Sequence, residues 1–223
     1  MIKGLIFDFD GLILETEGPD FQAWQELYQE HGHRLTLAAW APCIGTSTKA
    51  ADPLDRLEAL VGHPLDRKAI LSKRYQRYVE LALSQPVLPG VRELIADARK
   101  RGLKLAVASS SQRYWVAGHL DRLGLAPYFD AVKAADDVAR IKPAPDLYLA
   151  ALAALSLAAK QAIALEDSPN GVTAAQKAGL FCVAVPNHIT SQLSLPPADL
   201  LLDSLAAMPL EELLLEVQRR RRG

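Results

Sequence analysis

An α/β fold, a doubly wound parallel sheet carrying an inserted helical region, is predicted by three features of the sequence. Apolar runs of strand length at residues 2–8, 103–109, 161–166 and 181–185 alternate with helical patterns such as 91–101 and 145–157. Two acid pairs, Asp8 with Asp10 and Glu166 with Asp167, stand where two of those runs stop. Residues 19–84, by contrast, contain helical patterns and no convincing strand.

Each element follows from its local pattern. The four runs are mostly apolar, as expected of parallel strands buried on both faces, and their alternation with helices gives βα units. Shorter runs at Ala131–Lys133 and at 199–202 are expected to add strands at the two sides of the sheet. Pro89-Gly90 opens one crossover helix and Gly102 closes it. In the strand-free region Phe21, Trp24, Leu27 and Tyr28 recur at the spacing of one helical face, as do Ile70, Tyr75, Tyr78, Val79 and Leu81 more loosely, and both sets read as core stripes. Pro53, Pro64 and a turn at Cys43-Ile44-Gly45 divide this region into short helices. The expected organisation is an α/β core from 1–15 and 87–223 with a helical domain at 16–86. The last helix ends in Arg219 to Arg222, which suits the negative end of a helix dipole and reads as a solvated tail.

Bulk properties narrow the function. At 223 residues and 50% hydrophobic the chain can bury a sizeable core, and a formal charge of −1 gives no field that would steer nucleic acid or an anionic membrane. A small molecule is the expected partner, and a monomer the expected state. Cys43 and Cys182 are far apart and belong to no CxxC or Cys/His cluster, so they read as buried apolar fillers. The most apolar helical stretch, 147–159, is shorter than the ~20 residues a membrane span needs, and no charged-then-apolar leader pattern precedes Asp8. A cytoplasmic location is expected.

The acids carry the chemistry. Ligands gather outside the carboxyl ends of parallel strands, so the two pairs are expected to meet at one sheet edge. Carboxylates ~4 Å apart repel by roughly 4 kcal/mol per pair at an effective dielectric of 20, so something positive belongs there. Hard oxygen ligands without His or Cys favour Mg²⁺. Asp8 and Asp10, two apart on an extended chain, project the same way, and Gly11 lets the backbone turn close to a ligand. A carboxylate can take a phosphoryl group to form an aspartyl phosphate while a second one shuttles the leaving-group proton. Asp8 suits the first role and Asp10 the second. Ser109, Ser110 and Ser111 follow the next core strand at an expected helix start, either as an anion site or as simple helix caps. Lys142, followed by Pro143 and a helix opened by Pro145, reads as an ammonium aimed by fixed backbone.

With Asp8-Phe9-Asp10-Gly11, the serine after the next core strand, Lys142-Pro143 and Glu166-Asp167 in this order, the chain resembles the haloacid dehalogenase superfamily. The wording Glu166-Asp167-Ser168-Pro169-Asn170-Gly171 and the helical insertion resemble its phosphatase and β-phosphoglucomutase-like branch. The resemblance implies a Rossmann-like core with a helical cap, Asp8 as nucleophile and Asp10 as acid/base. It implies Ser109 and Lys142 on the transferred phosphoryl, and Mg²⁺ held by Asp8, the Asp10 carbonyl and Asp167 with Glu166 beside it. The chain departs from the mutases of that branch where they carry a histidine near position 20, an arginine after the cap glycine and a lysine past the second-motif serines. Here stand Asp20, the segment Gly45-Thr46-Ser47-Thr48-Lys49, and Gln112. Lys49 and Arg113 are the candidates to compensate. The expected activity is thus a Mg²⁺-dependent phosphatase of a small phosphorylated metabolite, a sugar phosphate in particular. The alternatives are a phosphosugar mutase and a non-catalytic phosphometabolite sensor.

Overall fold

The computed structural model describes residues 1–40 and 52–221. The chain divides into two compact units, Met1–Leu14 with Pro86–Gly223, and Glu15–Gln85. In the first unit, β1 (Gly4–Phe7) leads into the second unit, whose described helices are α1 (Glu17–Glu30), α2 (Leu37–Trp40), α3 (Pro53–Val61) and α4 (Arg67–Leu83). The chain returns through α5 (Val91–Lys100), β2 (Lys104–Ala108), α6 (Arg113–Arg122) and β3 (Ala131–Lys133). It then adds α7 (Asp146–Leu155), β4 (Ala162–Glu166), α8 (Pro169–Lys177), β5 (Phe181–Ala184), β6 (Leu200–Leu201) and α9 (Leu210–Arg220).

All six strands are parallel, in the order β3-β2-β1-β4-β5-β6. The chain builds outward from β1 to one side and then, from β4, to the other, so the topological switch point lies between β1 and β4. Register fixes what stands there. Phe7 pairs with Val107 on one side and with Leu165 on the other. Asp8 is therefore level with the end of β2 and with Glu166, the last residue of β4. The amide of Asp8 continues the ladder to the carbonyl of Leu165 at 2.9 Å.

The central strands are apolar along most of their length because both faces are covered. On one face Ile6, Ala106, Ala164 and Cys182 pack with Leu147, Ala151, Leu152 and Leu155 of α7 and Ala174 and Ala175 of α8. The many alanines let these helices approach closely. Cys182 is buried there, as a small apolar filler. Among the described residues no helix is long and apolar enough to cross a membrane.

Two packing expectations are corrected by the structure. The loose stripe on α4 is not a core face: Ala82 is its one buried residue, and Tyr75 is exposed. What ties α4 to α1 is charge, through Lys73 with Glu30, Arg74 with Asp20 and Arg77 with Glu26. At the end of α9, Arg220 and Arg221 are solvent-exposed as expected but also reach back to the fold rather than fraying. Arg220 donates to the Asp199 carbonyl, and Arg221 donates to the Lys160 carbonyl and lies over the Phe181 ring.

Because Leu147 of α7 is fully buried against the sheet, Leu147→Ala is expected to cost about 2–5 kcal/mol through lost burial and the cavity left behind. Urea unfolding followed by circular dichroism measures it. A loss under about 1 kcal/mol would mean that this core collapses around the missing atoms.

Candidate active site

The site begins with three buried charged side chains. Lys142 donates from Nζ to Asp8 Oδ1 at 2.5 Å and to Glu166 Oε1 at 2.6 Å. Its chain is fixed by the loop that precedes α7, where the Lys142–Pro143 peptide is cis. Tyr148, in the first turn of α7, donates its hydroxyl to the same Glu166 oxygen at 2.5 Å, and Lys142 Nζ lies 5.3 Å from its ring centroid. The other Glu166 oxygen accepts from the amide of Asp167 at 3.2 Å and the hydroxyl of Ser168 at 3.3 Å. Ser168 in turn caps α8, accepting the amide of Gly171 at 3.2 Å. Gly171 abuts the glutamate so closely that a Cβ there would fall within 2.1 Å of three of its carboxylate atoms.

Two acids share one ammonium, and a third stands beside them. Ligand oxygens of Asp8, Glu166 and Asp167 all lie within 4.8 Å of one another, and all three residues are buried. Burial first, and the charge of Glu166 second, push the Asp8 carboxyl up to about 7, with Lys142 pulling the other way. Burial works against the Lys142 ammonium, but Asp8 and Glu166 outweigh it and its pKa is raised, so the lysine stays charged. The cluster remains short of positive charge. A hard divalent cation such as Mg²⁺ fits this donor set of carboxylate oxygens, which offers neither nitrogen nor sulfur.

Asp10 closes another side. Its Oδ2 accepts from Ser111 Oγ at 2.7 Å and Ser109 Oγ at 3.2 Å, and its Oδ1 from the indole N–H of Trp115 at 3.0 Å. Ser109 is fully buried, and its amide bonds the carbonyl of Lys133 at 2.9 Å. The serines do not cap a helix: α6 begins at Arg113 with Gln112 as its N-cap residue. Ser110 is half-buried beside them.

The structure thus brings Asp8, Asp10, Ser109, Lys142, Glu166 and Asp167 to one sheet edge. The remaining candidates stand differently. Asp20 forms an ion pair with Arg74 within the helical unit, and that guanidinium also lies over the rings of Trp24 (5.1 Å) and Tyr78 (5.8 Å). The Asp20 charge is therefore countered within its own unit by Arg74. Arg113 is engaged by Asp137 and by the carbonyl of Val132 rather than by the acid cluster. Gly45 and Lys49 lie outside the described residues.

Three contacts were not anticipated from the sequence: Trp115 on Asp10, Tyr148 on Glu166, and Asn187 on Asp167, whose Nδ2 donates to Oδ2 at 3.1 Å. A tyrosine in the first turn of a helix of alanines and leucines, six residues after the aimed lysine, was the one available signal. Trp115 resembles any helix core residue, and Asn187 resembles any loop asparagine.

A switch-point carboxylate against a buried lysine, flanked by a second aspartate and an acid pair, suits the hydrolysis of a phosphoric monoester. Comparison with known proteins agrees. A family model described as haloacid dehalogenase-like hydrolase matches residues 5–185. YhcW of Bacillus subtilis (strain 168), provisionally named a phosphatase, is 42% identical over 214 residues, 96% of this chain and 97% of its own. The fructose-1-phosphate phosphatase YqaB of Escherichia coli (strain K12) is 33% identical over 184 residues, covering 82% of this chain and 95% of its own. Among solved structures, a mutant of CbbY from Rhodobacter sphaeroides in complex with xylulose-(1,5)bisphosphate is similar with a TM-score of 0.73 and 31% identity, covering 96% of this chain and 99% of that one. The chain belongs to the haloacid dehalogenase-like hydrolase family.

The raised Asp8 pKa has a consequence for stability. Its carboxyl sits at about 7 in the fold against an ordinary 3.8, so folding takes up a proton between those values and this group lowers stability as pH rises from about 4 to about 7. Asp8→Asn removes the effect. In metal-free protein the variant should match wild type near pH 4 and exceed it by a margin that grows up to pH 7. Thermal melts in chelator across that range check it, and a margin that shrinks with pH would contradict the assignment.

Proposed function

We propose that this chain is a Mg²⁺-dependent phosphatase that hydrolyses a small phosphorylated metabolite, of the sugar phosphate class, through an aspartyl phosphate on Asp8. The observation that carries the reading is the Asp8 carboxylate, buried at the switch point and hydrogen-bonded to Lys142 with Glu166 behind it. Asp8 attacks phosphorus in line as the bond to the sugar oxygen breaks, and Asp10 gives that oxygen its proton. Asp10 then takes a proton from the water that attacks the aspartyl phosphate, which releases inorganic phosphate and restores Asp8. Lys142 and Ser109 hold the phosphoryl oxygens along this path, where phosphoryl transfer depends mainly on positioning and charge. When bound, Mg²⁺ held by Asp8, the Asp10 carbonyl and Asp167, with Glu166 beside it, supplies neutralising charge to those oxygens.

The substrate class is supported by the relatives, since a fructose-1-phosphate phosphatase and a protein bound to a sugar bisphosphate are among them. We assign the helical unit Glu15–Gln85 the role of cap that family membership implies, with contacts to the organic part of the substrate. The mutase alternative is disfavoured by Gln112 and by the Gly45 to Lys49 segment, which stand where mutases carry lysine and arginine. Asp20 no longer counts against it, because Arg74 neutralises that charge.

Release of inorganic phosphate from a panel of sugar phosphates, with and without Mg²⁺, tests the reading. Turnover should need the metal, and Asp8→Asn should reduce it by at least about 10³-fold while the fold persists, because the amide cannot attack phosphorus. Phosphorus NMR on glucose 1- and 6-phosphates with a bisphosphate primer should show free phosphate and no interconversion. Isomerised sugar phosphate appearing faster than free phosphate would make the protein a mutase.

A further inference from the structure

Asn187 lies in the loop after β5, far in sequence from every motif of the site, yet it touches two of them. Its Nδ2 donates to Asp167 Oδ2 at 3.1 Å and reaches the carbonyl of Gly11 at 3.4 Å. The orientation of this amide is fixed independently of the acid. Oδ1 accepts the backbone amides of Ile189 and Thr190, both at 2.9 Å, and only an oxygen can accept there. The NH₂ group must therefore face Asp167. The loop is held in turn by the Asn187 amide, which donates to Thr190 Oγ1 at 2.9 Å, with Thr190 fully buried.

Gly11 completes the arrangement. With φ of +79°, it sits where an added Cβ would lie 2.1 Å from Asp167 Oδ2 and 2.8 Å from Asn187 Nδ2. The first-motif glycine is thus needed to let the backbone pass beside this hydrogen bond, in addition to any turn it makes. Three distant segments meet at one oxygen of Asp167.

We propose that Asn187 is a positioning residue for the metal site: by occupying Asp167 Oδ2 it turns the carboxylate so that Oδ1 serves as a single, fixed ligand for the divalent cation. The inference rests on the proposed Mg²⁺ site. Partners that orient a ligand from behind typically contribute about 10–100-fold in metal affinity. A carboxylate without that donor is free to rotate and must be ordered again on each binding event.

Calorimetric titration of Mg²⁺ into metal-free protein tests this without reference to catalysis. Asn187→Ala and Asn187→Ser both remove the donor, and each is compared with Thr190→Val, which removes a loop hydrogen bond but leaves the amide on Asp167. The expected result is an affinity about 10–100-fold weaker in the Asn187 variants, with Thr190→Val close to wild type. In the steady state, the Mg²⁺ concentration for half activity should rise by the same factor while kcat at saturating metal stays near wild type. Wild-type affinity in either folded Asn187 variant would overturn the proposal, as would an equal loss in Thr190→Val, which would make the loop rather than the amide responsible. Failure of the wild-type protein to bind Mg²⁺ at all would instead overturn the reading of the site on which the proposal rests.

Discussion

One ammonium between two buried carboxylates organises this protein. Lys142 reaches Asp8 and Glu166 from the loop that precedes α7, and neither acid has bulk water to turn to. Such a cluster is costly to assemble, because each ion loses its hydration. Removing Lys142, the counter-charge the two acids share, would strand both of them, and loss of such a partner costs about 3–5 kcal/mol. Much of the local design serves to make the cluster tolerable. Tyr148, the Asp167 amide and Ser168 all donate to Glu166, and the α8 cap and the close approach of Gly171 hold that glutamate in place. The structure around the switch point is in this sense a scaffold for keeping Lys142 charged and aimed.

The same imbalance gives the site its chemistry. Burial, with the charge of Glu166 beside it, leaves the Asp8 carboxyl reluctant to ionise, and a divalent cation in the proposed site would offset the like charges. A group activated only once its counter-charges have arrived is suited to attack a phosphoryl group that comes with a metal ion. Asp10 is held apart from this cluster by a different set of donors, Ser109, Ser111 and Trp115. Two aspartates two residues apart therefore live in different surroundings, as two different roles require.

The legible parts of the fold were those governed by burial on both faces. The β1, β2, β4 and β5 strands read as mostly apolar runs because no face meets water, and the acids at their ends stood out against that background. Lys142 was legible because Pro143 and Pro145 follow it and fix the backbone there. Illegible were contacts that depend on tertiary placement. Trp115 and Tyr148 carry the pattern of core residues and are buried as such, and only the fold reveals that each turns its one polar atom to a carboxylate. Asn187 is brought to Asp167 by the sheet, across 20 residues of sequence. On α4 the periodicity of Tyr75 and Tyr78 suggested a buried face, whereas ion pairs with α1 do that work. The arginines after α9 were read as solvated because their acceptors, the carbonyls of Lys160 and Asp199, have no signature in sequence.

That the buried carboxylate beside Lys142 is the nucleophile is tested most directly by trapping it. Protein turning over a sugar phosphate with Mg²⁺ is quenched in acid, reduced with borohydride, digested and mapped by mass spectrometry, which converts an aspartyl phosphate into homoserine at the position that carried it. The account predicts homoserine at position 8 and intact aspartate at position 10, with no conversion when either substrate or metal is withheld. Conversion at position 10, or turnover with no trapped residue at either position, would contradict it.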